Sequence, residues 1–209
     1  MTGFKHGPKP VVGLIGAIGA GKSTVGRCLA ARGGHVIDAD ALGHEALRQP
    51  EIVAALVNRW GGRVRKPDGS LDRREIGRIV FGDAAERNAL ERTVFPYIGD
   101  RTQREIAAAQ ANPDVAFVVL DAAVLLEAGW GDVVDRLVYV DAPRAARLAR
   151  LATRSGWGED ELAAREAAQW SADVKKARAD AVVVNDSDPA TLAEQLGRLL
   201  VRWQIAQRA

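Results

Sequence analysis

Gly16-Ala17-Ile18-Gly19-Ala20-Gly21-Lys22-Ser23-Thr24 is the stretch on which the reading of this chain turns. It matches the pattern of a glycine, four residues, then Gly-Lys-Ser/Thr. The flanks agree with it. Val11-Val12-Gly13-Leu14-Ile15 is a short β-branched run that reads as a buried strand, and residues 25–31 read as the helix that follows. Glycines allow positive φ and let backbone N–H groups close on an anion. A helix starting near Lys22 points its positive end at the same place. In that geometry Gly19, Ala20, Gly21, Lys22, Ser23 and Thr24 would hold a nucleotide's phosphates. Lys22 would reach the β and γ groups, and the Ser23 hydroxyl would ligate Mg²⁺. A plain glycine-rich turn is the alternative, and the strand and helix on either side argue against it.

The rest of the composition narrows the setting. The chain has 209 residues, 47% of them hydrophobic and 27% charged, enough for one well-buried α/β domain with room for an inserted subdomain. A formal net charge of +2 is no electrostatic footprint for nucleic acid. Arginine far outnumbers lysine, which suits phosphate recognition, though codon bias gives the same excess, so only clustered arginines count. A single cysteine, Cys28, excludes an intrachain disulfide and forms no metal pattern. No apolar run reaches membrane-spanning length, and residues 1–10 lack the apolar core of a secretory signal. The expectation is a cytoplasmic protein without membrane or nucleic-acid partners, a monomer or weak homo-oligomer, with a loose polar leader over residues 1–10.

Further along, His35-Val36-Ile37-Asp38 reads as a second strand, and Asp38-Ala39-Asp40 lies where it stops and a helix begins. In open α/β sheets, sites form beyond the carboxyl ends of strands. One of the two acids is expected to cap the helix and the other to do chemistry. Residues 41–60 read as helix broken near Gln49-Pro50, 72–80 and 84–93 as two short helices, and 96–111 as a longer one. Val115-Ala116-Phe117-Val118-Val119-Leu120-Asp121 is the clearest buried strand. Its final acid is a candidate for Mg²⁺ through water, with ordinary polar termination as the alternative. Residues 136–141 and 181–184 read as the fourth and fifth strands, and residues from Asp188 to about 207 as a final helix. Strands alternating with helices predict an α/β fold with a five-stranded parallel sheet. With the glycine loop, this is a P-loop NTPase fold with a helical insertion and a helical lid. The predicted organisation is one P-loop domain over 11–209: a core of about 11–49 and 113–209, the insertion at about 50–112, and the lid at about 154–175.

The lid is read from arginines. After strand four a helix carries Arg147, Arg150 and Arg154, spaced three and four apart on one face. Ser155-Gly156-Trp157-Gly158 interrupts it, and a helix resumes over 159–170 with Arg165 and Gln169 one turn apart. A glycine-hinged, arginine-bearing pair is what closing over a triphosphate requires, since arginines neutralise the transferring phosphoryl and closure excludes water. A solvated face with local pairs such as Glu161 to Arg165 is the alternative. Arg147 and Arg154 are accordingly candidate catalytic groups, and Arg154 and Arg165 candidate nucleotide contacts. A GTPase switch would need Asn-Lys-x-Asp after a strand, and Asn185-Asp186-Ser187-Asp188 lacks the lysine. A motor ATPase is usually larger, so a small-molecule kinase is favoured.

Several segments together resemble the dephospho-CoA kinase family: the loop Gly16 to Thr24, Val36-Ile37-Asp38-Ala39-Asp40, Asp68-Gly69-Ser70-Leu71-Asp72-Arg73, the run Arg154, Glu161, Arg165 and Gln169, and Ala181 to Asn185. The resemblance implies transfer of the ATP γ-phosphoryl group to the ribose 3′-hydroxyl of dephospho-CoA, with Mg²⁺. It implies Asp40 as general base and Asn185 near the adenine. It assigns the acceptor's pantetheine and adenosine to the helical insertion. Metal contacts are expected from Ser23 and from Asp38 or Asp121. Three positions depart from the family's pattern: Ala17 stands for a second glycine, Phe95-Pro96 for His-Pro, and Ala123 for the proline of Pro-Leu-Leu-x-Glu. The last two concern the acceptor side. The rival readings are a kinase for a nucleoside monophosphate or small alcohol, and a nucleotide-dependent binding module that has lost transfer.

Overall fold

The structure is a computed structural model that describes residues 4–186 and 188–208. In chain order its strands are β1 (Val11–Gly16), β2 (Gly34–Asp38), β3 (Phe117–Asp121), β4 (Arg136–Asp141) and β5 (Ala181–Val184). The α-helices are α1 (Lys22–Ala30), α2 (Ala39–Ala46), α3 (Pro50–Trp60), α4 (Arg73–Phe81), α5 (Ala84–Ala111), α6 (Arg144–Ser155), α7 (Glu159–Ala167), α8 (Ala172–Arg178) and α9 (Pro189–Arg202). The chain divides into two compact units. One joins the residues up to Asp38 with those from Glu105 onward, and the other is Ala39–Arg104.

The first unit is the predicted parallel sheet, in the order β2-β3-β1-β4-β5. All six residues of β1 are buried, as a central strand covered on both faces requires. On one face α1 and α9 contribute Val25, Leu29, Leu192, Leu196 and Leu200 to a core with Val12, Leu14, Val138 and Val140. The register sets the site: Gly16 lies beside Val140, and Leu14 and Asp38 both lie beside Asp121. Gly16 admits no side chain, because a Cβ there would stand 2.4 Å from the Val140 carbonyl. The chain therefore leaves the sheet hard against β4.

In the second unit Asp68-Gly69-Ser70-Leu71-Asp72-Arg73 forms a turn feeding a capped helix. Lys66 N–H donates to Ser70 O at 2.8 Å, and Ser70 N–H donates to Asp68 Oδ1 at 2.9 Å. Asp72 caps α4 by accepting from Arg74 N–H at 2.9 Å and Glu75 N–H at 3.2 Å. These bonds hold both carboxyls below their usual range, the Ser70 hydroxyl acting first on Asp68 and the Glu75 N–H on Asp72. Glu86 accepts from Arg59 Nε at 2.7 Å and from Trp60 Nε1 at 2.6 Å, tying α3 to α5.

Four elements differ from the sequence reading. Residues 84–111 form one helix rather than two, with Pro96 inside it. Proline removes one i→i−4 bond, but Val94 and Ile98 on either side are buried, and their burial keeps the helix continuous. A separate α8 follows α7, and Lys175 on it is buried. The last helix stops at Arg202, where the chain turns through Gln204 at φ 56°. The leader, read as loose, is tied down in its described part. Lys5 N–H donates to Asp135 Oδ1 at 2.9 Å, Lys9 Nζ to Ala109 O at 2.8 Å, and Gln110 Nε2 to Lys9 O at 2.7 Å. Residues 1–3 lie outside the described residues, as does Ser187 of the Asn185-Asp186-Ser187-Asp188 stretch. No helix among the described residues is long and apolar enough to cross a membrane.

Candidate active site

The loop between β1 and α1 has the shape its spacing predicts. Gly19 and Gly21 sit in the left-handed region, at φ 78° and 90°. Gly21 is the N-cap of α1 and brings no side chain to its first turn, which also holds no acidic residue. The helix end is therefore left positive, and Lys22 and Ser23 are its first two residues. Ala20 is fully buried behind the loop.

Amides that converge on an anion turn their carbonyls outward, and these outward carbonyls are held from behind. Arg147 NH1 donates to Ile18 O at 3.1 Å. Arg150 NH1 donates to Ala20 O at 3.2 Å, with a longer reach of 3.4 Å to Gly19 O, and its NH2 donates to Asn185 O at 2.8 Å. Asn185 Nδ2 donates to Ala20 O at 2.8 Å. Asn185 itself is 7% exposed and continues the β4–β5 ladder, its N–H donating to Asp141 O at 2.8 Å. Its amide presses on the loop so closely that a Cβ on Gly21 would stand 2.2 Å from Nδ2.

Asp38 and Asp121 close the carboxyl ends of two neighbouring strands, paired in register, with Asp121 also beside β1. Among the described residues no three His, Cys, Asp or Glu side chains gather into a metal cage. The oxygen donors expected from the sequence are the Ser23 hydroxyl, at the start of α1, and these two carboxylates. This all-oxygen set suits Mg²⁺, which keeps waters and takes its remaining ligands from substrate phosphates. Asp40 lies two residues beyond β2, exposed in the first turn of α2, and belongs to the second unit.

The segment expected to form the lid is α6, a left-handed Gly156 at φ 68°, then α7 and α8. Its arginines divide. Arg147 is buried, and its NH1 also donates to Glu166 Oε1 at 2.6 Å. Glu166 accepts from Arg144 NH1 at 2.6 Å as well, and Arg144 pairs further with Glu159. Partial burial pushes the Glu166 carboxyl up, but hydrogen bonds from Arg144 and Arg147 outweigh it and hold the group below its usual range. Arg165 pairs with Glu161 at 2.7 Å and lies 4.0 Å over the Trp157 ring, so the local ion pair weighed as an alternative is present. Arg154 is exposed and, among the described residues, has no ion-pair partner.

Two groups escaped the sequence reading. Arg150 was visible as a member of the arginine row, but its spacing does not say that the row faces the loop. Lys175 gave no signal at all. It is 2% exposed, and its Nζ donates to Ala123 O and Gln169 Oε1, both at 3.1 Å, and pairs with Glu127 Oε1 at 2.8 Å. Glu127 Oε1 also accepts from Trp170 N–H at 3.0 Å. The stretch after β3 is thus fastened to the end of α7 and to α8. The structure brings together Gly19 to Thr24, Asn185 and Arg147 on the loop, and pairs Asp38 with Asp121 at the carboxyl ends of β2 and β3. Arg154 and Arg165 sit farther along the α6–α7 segment.

The chain is similar to known proteins over most of its length. A family model described as dephospho-CoA kinase matches residues 10–191. A dephospho-CoA kinase of Symbiobacterium thermophilum is 43% identical over 178 residues, covering 84% of this chain and 73% of the relative. One of Anaeromyxobacter dehalogenans is 42% identical over 193 residues, covering 91% and 90%. Among solved structures, a Thermus thermophilus protein superposes with a TM-score of 0.77 at 33% identity, covering 93% of this chain and 97% of that one.

Proposed function

The chain belongs to the dephospho-CoA kinase family, and from that premise we propose that it transfers the γ-phosphoryl group of ATP to the ribose 3′-hydroxyl of dephospho-CoA, giving coenzyme A and ADP. This is the last step of coenzyme A synthesis, carried out in the cytoplasm. The observation that carries the reading is the phosphate loop itself, with Lys22 and Ser23 opening an α1 whose first turn has no acidic residue. Donors fixed before the substrate arrives stabilise the charge that spreads over the transferring group.

The roles we propose are supported by where the residues lie. Lys22 neutralises the β and γ phosphates. Ser23, with Asp38 and Asp121, would hold Mg²⁺, which when bound supplies further positive charge to the phosphates. Asp40 orients the acceptor hydroxyl and takes its proton, so we assign the acceptor to the helical unit that carries it. Arg154 supplies charge from the α6 end of the lid. Asn185 stands at the end of β5, where the adenine is placed by this reading.

The test is ADP release with an acceptor series: dephospho-CoA, a nucleoside monophosphate and shikimate, with the product's phosphate position read by NMR. Dephospho-CoA should stimulate ADP release and be phosphorylated at the 3′ position. Turnover with another acceptor and none with dephospho-CoA would overturn the proposal.

A further inference from the structure

We infer that Arg150 is a positioning residue for the nucleotide: it shapes the phosphate loop from its outer side and does not itself touch the phosphates. The inference rests on the loop being the polyphosphate site, and it concerns how the loop holds its form with no ligand present.

Successive N–H groups can point at one anion only if the carbonyls of the same peptides point away from it. Such carbonyls need donors of their own. Here Gly19 O and Ala20 O are consecutive, and both face the Arg150 guanidinium, the nearer at 3.2 Å. The second nitrogen of that guanidinium donates to Asn185 O at 2.8 Å. Asn185 returns a bond of 2.8 Å to Ala20 O. Loop, α6 and the end of β5 are thus closed into one ring of hydrogen bonds by a single planar group. The Asn185 backbone is fixed to β4 through Asp141 O, so the ring is anchored to the sheet.

Only a fork serves this arrangement. Arginine presents five N–H donors in a rigid plane, and lysine presents one mobile charge. Arg150 also lacks the means to do two jobs at once. With NH1 on the loop carbonyls and NH2 on Asn185, it faces the outer side of the peptides. A lid arginine that moves on and off a phosphate would have to abandon these bonds.

The experiment compares ADP binding by calorimetry in the full-length wild type, Arg150→Met, Arg150→Lys and Asn185→Ala, with unliganded melting temperature as a check on folding. A hydrogen bond to a charged group is worth enough to move an equilibrium by about ten- to a hundredfold. Arg150→Met should weaken ADP by that factor and raise the KM for ATP, leaving the KM for dephospho-CoA within about twofold. Arg150→Lys keeps the charge and loses the fork, so it should bind ADP nearly as weakly as Arg150→Met. A lysine variant within about twofold of wild type would show that charge suffices and overturn the inference. So would wild-type affinity in Arg150→Met. If Arg150→Met does not fold, Asn185→Ala decides: it removes one of the two donors on Ala20 O, and undiminished ADP binding would overturn the ring. Failure of the wild type itself to bind ADP would instead refute the nucleotide reading on which this one stands.

Discussion

Replacing Lys175 by methionine removes a charge that is only 2% exposed, the least exposed among the described charged residues of the sheet unit. The Lys175 ammonium uses three acceptors: Glu127 at 2.8 Å, and Ala123 O and Gln169 Oε1 at 3.1 Å. Glu127 is itself only 17% exposed at its side chain, and its Oε2 is buried without a hydrogen-bond partner. Methionine fills the same volume but leaves the Glu127 carboxylate with the Trp170 N–H as its remaining donor. Removing one member of a buried ion pair typically costs about 3–5 kcal/mol, because the other is left charged in a poor solvent. For a chain of this length each kcal/mol moves the melting temperature by about 2–4 °C, so a fall of roughly 6–20 °C is expected. Adding Glu127→Leu removes the orphan charge, and the double variant should recover a large part of the loss. Equilibrium unfolding in urea without nucleotide measures all three variants. A Lys175→Met cost under about 1 kcal/mol, or a double variant as unstable as the sum of the singles, would refute the argument that the charge pair fastens α8 to the stretch after β3.

The other expectations concern the chemistry and its pH range. Asp40→Asn should keep ADP affinity and lose about 10²–10⁴-fold in kcat, measured by coupled ADP release, as loss of a general base does; near-normal turnover would remove Asp40 from that role. Lys22→Ala should weaken both ATP use and transfer, and an unchanged kcat/KM for ATP would remove the loop as the phosphate site. The Glu166 carboxyl is held below its ordinary value of 4.5, so its bonds to Arg144 and Arg147 contribute stability above that pH and lose it as pH falls through the lowered folded value. Glu166→Gln should flatten that acid-side loss, worth on the order of 1 kcal/mol for a partly exposed pair, in melting curves taken from neutral pH downward.

The parts of this molecule legible in its sequence are those whose signal is local. The β-branched runs at 11–15 and 117–121 must be buried on both faces, and they became central strands of a parallel sheet. The glycine spacing at 16–21 encodes its own backbone angles, and Asp72 three residues before Glu75 encodes its own cap. What stayed hidden depends on partners distant in the chain. Pro96 argues locally for a break, and only the burial of Val94 and Ile98 carries α5 through it. Lys175 stands in a polar stretch, Ala172–Arg178, with no apolar periodicity, and its burial depends on Glu127, nearly fifty residues earlier. The arginine row was visible, but a helix's spacing does not say which neighbour its face meets.

That row is where sequence and structure divide the labour of the site. Arg147, Arg150 and Arg154 share one face of α6, and at 1.5 Å per residue they climb it in steps of roughly 4.5 and 6 Å. The first two spend their guanidiniums on the carbonyls of Ile18, Gly19 and Ala20, three successive peptides of the loop. The third stands a turn farther along, exposed, one residue before the end of the helix and two before Gly156. A helix held against the loop at one end can still carry a mobile group at the other, when that group is an exposed side chain free to change rotamer. The left-handed glycine that closes α6 lies beyond Arg154, so a change of backbone angle there would move the segment that follows and leave the braced helix in place. Rigidity at Arg150 and freedom at Arg154 are therefore compatible on one short helix. The phosphates can be met by donors set in advance while charge is delivered late from the same element.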